Sequence, residues 1–145
     1  MSPEDGATTR WLRVDHDGAD RFRIAVRDHT LTVDQPVGDG GDDSGPTPVE
    51  LLVAGLASCV AFNVRRFLAR HELPVEGLSV TADVGMAAHP DRVGEIRLQI
   101  NLPAGLPPQR QAALRAVAAH CTVHSTLLRP PAVAIELGAP VVVSA

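Results

Sequence analysis

The stretch TPVELLVAGLASC, residues 47–59, decides how this chain is read. Thr47 is a natural N-cap, Pro48 suits the first helical position, and Glu50 stands three residues after Thr47, the spacing of a capping box. Leu52, Leu56, Cys59, Asn63 and Phe67 follow at intervals of three and four. That period predicts a helix carrying Cys59 near its middle, on the same stripe as Leu52, Gly55, Leu56 and Asn63. Pro74 and Gly77 mark where it has ended.

Upstream, GDGGDDSGP (residues 38–46) is a loop by composition. Before it, Phe22, Ile24 and Val26 alternate with Arg21, Arg23, Ala25 and Arg27. The period of two predicts strands between Trp11 and Pro36, with an apolar face, an Arg-bearing face and a turn at Asp28-His29. Downstream, residues 78–86 and 93–102 are a predicted strand pair around the turn His89-Pro90-Asp91. A second helix opens at Leu106-Pro107-Pro108, with Leu114, Val117, Ala118 and Cys121 as its apolar stripe. Pro130-Pro131 breaks the chain, and AVAIEL with VVV predicts one or two last strands. The order βββ-α-ββ-α-β(β) is an α+β fold with a strand-rich N-terminal sheet and two core helices, each bearing one cysteine.

A chain of 145 residues fits one domain, here residues 10–145, behind a flexible tail at residues 1–9. Only three Phe, one Trp and no Tyr are present, so the core is aliphatic. All 13 basic residues are Arg, which excludes Schiff-base, pyridoxal-phosphate and P-loop chemistry. A net charge of −4 and scarce aromatics argue against nucleic acid. The run Leu51 to Phe62 is too short to span a bilayer, and the polar start MSPEDGATTR is unlike a secretory signal. The expectation is a cytoplasmic protein with no membrane partner. Two cysteines in such a chain are reactive thiols or core residues rather than a disulfide framework.

Position alone makes Cys59 a small hydrophobe of the core. A reactive role needs a cation beside it to favour the thiolate, and the early strands offer Arg21, Arg23 and Arg27. Cys121, at the end of the second helix, meets the negative end of the helix dipole and makes a poor first nucleophile. It can still attack an oxidised partner and close a disulfide. Cys121 and His124 are spaced as metal ligands, but no second close pair completes a zinc site. The acids between Asp39 and Glu50 lack the glycine pattern of a calcium loop. No metal and no cofactor is expected.

The combination GPTPVELLVAGLASC (45–59) followed by AAHCTVHSTL (118–127) resembles the OsmC/Ohr family. The resemblance runs from about Arg10 to Val143 and implies an intertwined homodimer around a shared helical core. It implies a thiol peroxidase of organic hydroperoxides, with Cys59 as the peroxidatic thiolate and Cys121 as the resolving thiol. An external dithiol would restore the pair. It also implies an Arg of the early strands beside the thiolate, at Arg21 or Arg23, and a Glu at the start of the first helix. The family motif puts that Glu ten residues before the Cys, where this chain has Val49; Glu50 is nine before, nearly opposite Cys59 on an ideal helix. The capping box accounts for Glu50 without catalysis. The alternative reading is a non-catalytic dimer that binds a small apolar ligand or serves a stress-response role.

Overall fold

The computed structural model describes residues 11–139. In chain order it contains β1 (Arg13–His16), β2 (Phe22–Val26), β3 (His29–Val33), a 3-10 turn (Val37–Asp39), α1 (Pro48–Arg70), β4 (Ser79–Ala87), β5 (Arg92–Asn101), α2 (Pro108–Ala119) and α3 (Thr122–Leu128). This is the expected α+β order up to the second helix. Two compact units make up the chain. One runs to Ser58 and takes in Val80–Ile100; the other takes in Cys59–Ser79 and the described residues from Asn101 onward.

In the first unit, β1, β2 and β3 form an antiparallel sheet in that order, with Ile24 opposite both Val14 and Leu31. Cross-strand partners share a face, so Val14, Phe22, Ile24, Leu31 and Val33 form the apolar side, and Arg13, Asp15, Arg23 and Thr32 the polar side. The β2–β3 turn is Arg27-Asp28, one residue earlier than expected, and Arg27 adopts φ 52°. β4 and β5 pair across a short connection at residues 88–91, which only antiparallel strands permit.

The loop at 38–46 is more than a solvated connector. Asp34, at the end of β3, is buried at 2% exposure and accepts four hydrogen bonds. They come from the Gln35 N–H (2.7 Å), the Asp42 N–H (3.3 Å), the Ser44 N–H (3.1 Å) and the Ser44 hydroxyl (2.6 Å). The loop is thus folded back on the strand it leaves. Gly41 permits this approach: a Cβ there would be driven into the Gln35 carbonyl. The Ser44 hydroxyl, followed by the Ser44 and Gln35 N–H groups, lowers the Asp34 pKa from 3.8 to about 2 despite burial.

The chain then enters α1 through the expected capping box. The Thr47 N–H donates to Glu50 Oε1 at 2.9 Å, and the Glu50 N–H donates to Thr47 Oγ1 at 3.2 Å. At the far end the Leu73 N–H returns to the Leu68 carbonyl at 2.8 Å across Glu72 in the left-handed region, a Schellman closure. The buried stripe of α1 is Val53, Leu56, Val60, Val64, Phe67 and Leu68. Leu52, expected on the packed side, is exposed, and Cys59 lies at the border of the stripe. The helix is apolar almost all round, so its period could not tell which side packs. By length and composition α1 could cross a bilayer, but its one-sided burial is that of a helix in a globular core.

In the second unit Asn63 donates to the Val117 carbonyl at 3.3 Å, and Arg110 Nη1 meets His71 Nδ1 at 2.7 Å. These bonds tie α1 to α2, around buried Leu114. The second helix ends at Ala119, close to the expected end at Cys121, and an unexpected third helix, α3, follows the break at His120-Cys121. The last expected strand is absent where it can be seen. Residues 131–139 have no regular structure and lie exposed, with Ile135 92% accessible. VVV (141–143) lies outside the described residues, as does the expected tail at 1–9.

Candidate active site

The break between α2 and α3 builds the site. Cys121 is the N-cap of α3, and its sulfur accepts the His124 N–H at 3.4 Å. The sequence placed it at a helix C-terminus; the structure puts it at a helix start, fully buried at 0% exposure. The half-buried sulfur of Cys59 on α1 stands near enough that each thiol shifts the ionisation of the other. The Val123 and Thr122 N–H groups, in the first turn of α3, also favour the ionised form of Cys59.

The two sulfurs are therefore unequal. For Cys59, burial is the largest influence and pushes the thiol up. The Cys121 donor, the Val123 and Thr122 N–H groups and the charge of Arg66 together outweigh it, and the thiol is held below its ordinary value. For Cys121, burial also comes first, and the neighbouring Cys59 sulfur adds to it, so that thiol is pushed up. The first cause is burial, not the dipole of α2. The arrangement is two neighbouring thiols of which Cys59 ionises more readily, the inequality that disulfide closure uses.

The cation acting on Cys59 here is Arg66. It stands seven residues further along α1, close to two full turns, so the same helix face carries both. That spacing was readable in the sequence, as the N–H groups of α3 were not. Arg21 is engaged in its own hairpin: Nη2 donates to the Asp17 carbonyl at 2.8 Å, and Nε lies 3.5 Å from the Asp17 carboxylate. Arg23 is exposed on the polar face of the sheet, opposite Asp15 and Thr32. Glu50 is exposed, and the Thr47 N–H and hydroxyl hold its carboxyl below the ordinary range. His124 directs Nδ1 to the Ala119 carbonyl at 2.9 Å. Among the described residues no group of three or more His, Cys, Asp or Glu converges as metal ligands.

A three-stranded sheet, a long capped helix, a hairpin and a thiol pair shared between α1 and the start of α3 define a small α+β protein with a dithiol site. The model of the OsmC-like protein family matches residues 40–136, more than half of the chain, and the chain belongs to that family. Glu50, Cys59 and Cys121 lie inside the matched stretch, while Arg21 and Arg23 precede it. No curated protein matches the chain.

Several solved structures share the fold. One is described as an osmotic stress induced and detoxification response protein from Psychrobacter arcticus (TM-score 0.77, 23% identity, 84% of this chain and 90% of that one). A second is an organic hydroperoxide resistance protein OsmC from Legionella pneumophila (TM-score 0.61, 22% identity, 83% and 91%). A third, from Vibrio cholerae, is described as an organic hydroperoxide resistance protein with captopril bound in one of the active sites (TM-score 0.61, 17% identity, 89% and 91%).

Proposed function

We propose that this chain is a cysteine-based peroxidase of organic hydroperoxides with a role in oxidative stress. The reading is supported by the pairing of half-buried Cys59 on α1 with buried Cys121 at the start of α3, the first thiol lowered and the second raised. The Cys59 thiolate attacks the distal peroxide oxygen. The O–O bond breaks, the alcohol leaves with a proton, and a sulfenic acid remains on Cys59. The Cys121 thiol then attacks that sulfur, water departs and a Cys59–Cys121 disulfide forms. Two electrons from an external dithiol restore both thiols. Arg66 and the α3 N–H groups stabilise the thiolate before attack. Glu50 serves as the cap of α1.

The same reading includes a homodimer. It is supported by apolar surface left open: Leu52 and Phe62 flank Gly55 on the outer side of α1, and Phe62 is 62% accessible. Val133, Ile135 and Leu137 alternate along an exposed segment without regular structure. A non-catalytic ligand-binding dimer is the second reading, favoured by the engagement of Glu50 in the capping box. Peroxide consumption with excess dithiothreitol separates the two. The proposal expects turnover of cumene hydroperoxide that Cys59→Ser abolishes; equal rates for the two proteins would rule it out.

A further inference from the structure

Cys121 and His124 share a spacing that metal ligands use, yet among the described residues no third ligand joins them. The His124 side chain is instead committed within the fold. Its Nδ1 lies 2.9 Å from the Ala119 carbonyl, and a carbonyl only accepts, so Nδ1 carries the hydrogen. Its own backbone N–H donates to the Cys121 sulfur at 3.4 Å. One residue of α3 thus holds both the last residue of α2 and the sulfur just beyond the break.

The last four carbonyls of an α-helix have no partner inside the helix. In α2 they belong to residues 116–119, and side chains take three of them. His120 Nδ1 donates to the Ala116 carbonyl, Asn63 to the Val117 carbonyl at 3.3 Å, and His124 to the Ala119 carbonyl. Asn63 comes from α1, one turn and about 6 Å beyond Cys59 on the same face. The segment bearing each cysteine therefore sends a side chain to the same end of α2. Both side chains are half-buried, where a hydrogen bond competes less with water. These bonds matter because neither Gly nor Pro stands at residues 116–124 to stop the helix. A helix that ran on through Cys121 would take its sulfur out of the N-cap position of α3.

We propose that His124 and Asn63 are positioning residues: their side chains clamp the end of α2 and so fix Cys121 beside Cys59. The proposal rests on the peroxidase reading for the use made of the disulfide, and on the end of α2 for the geometry.

The test needs no peroxide. In glutathione buffers the Cys59 thiolate displaces one glutathione from glutathione disulfide, and the Cys121 thiolate then displaces the second. Two electrons and two protons pass from the pair to two glutathione molecules. The equilibrium constant, read by alkylation and intact mass, measures the effective concentration of one thiol at the other. Wild type should form the Cys59–Cys121 disulfide. His124→Ala and Asn63→Ala should each lower the constant about tenfold, within the loss that a misplaced reacting group causes. His124→Asn, whose amide nitrogen takes the place of Nδ1, should restore much of it. His124→Gln, with its donor one bond further out, should not, and it decides the matter if circular dichroism shows His124→Ala unfolded. No disulfide in wild type, a constant unchanged in His124→Gln or Asn63→Ala, or no rescue by His124→Asn would overturn the clamp. Cumene hydroperoxide consumption is followed separately. If none is consumed while the constants shift as expected, the peroxidase reading fails and the clamp stands. If peroxide is consumed and the constants are equal, the clamp alone fails.

Discussion

Replacing Cys121 with alanine takes from the Cys59 sulfur the largest of the influences that favour its thiolate. A hydrogen bond to a charged group contributes about 1.5–3 kcal/mol. A thiol is a weak donor, so the low end applies, and about 1.4 kcal/mol is a factor of ten in an ionisation equilibrium. The Val123 and Thr122 N–H groups and Arg66 remain in the variant, so the thiolate is weakened rather than lost. Near neutral pH, Cys59 in Cys121→Ala should therefore react with iodoacetamide about tenfold more slowly than in wild type. Peptide mass spectrometry resolves the two cysteines of the wild type, and the variant has only one. The rate at strongly alkaline pH, where any thiol is ionised, corrects for changed access to the sulfur. A corrected rate equal to or above that of wild type would refute the argument that Cys121 donates to a Cys59 thiolate.

Other expectations concern the scaffold. Asp34 has a folded value of about 2 against 3.8, so its contribution to stability is fully present above about pH 3.8 and is lost as pH falls toward 2. Asp34→Asn should lower stability at neutral pH and remove that part of the acid slope, as followed by circular dichroism. Thr47→Ala should cost about 1 kcal/mol in urea denaturation. It should also return the Glu50 carboxyl toward its ordinary value, which carbon-detected NMR titration would read. Leu68→Ala, at a site 2% exposed, should cost about 2–5 kcal/mol by the same denaturation; a loss below 1 kcal/mol would mean that this end of α1 is loosely packed.

What could be read from sequence was local. The box of Thr47 and Glu50, the alternation through Ile24 and the turn before Asp91 each depend on neighbours within a few residues, and each of these elements formed. What escaped depends on contacts across the chain. Nothing like Gly or Pro marks the break at His120-Cys121; the interruption is visible only as Cys121 capping α3 and meeting Cys59. Asp34 is one acid among many in an acidic stretch, and only the folded loop shows its four donors. The packed side of α1 is not legible in the sequence because Leu52 and Val53 are both apolar, and burial alone separates them. Both cysteines were singled out by position and resemblance. Their proximity is a property of the fold, and the charge acting on Cys59 comes from Arg66 on its own helix, whereas the resemblance implies an arginine of the early strands.

The most direct measurement is the intact mass of the reduced protein before and after one equivalent of cumene hydroperoxide. Loss of two hydrogens, with Cys59 and Cys121 joined in the peptide map, is the result expected of a thiolate and its resolving thiol in contact. An unchanged mass with the peroxide still present would contradict the account, and a single added oxygen that persists would deny Cys121 its part.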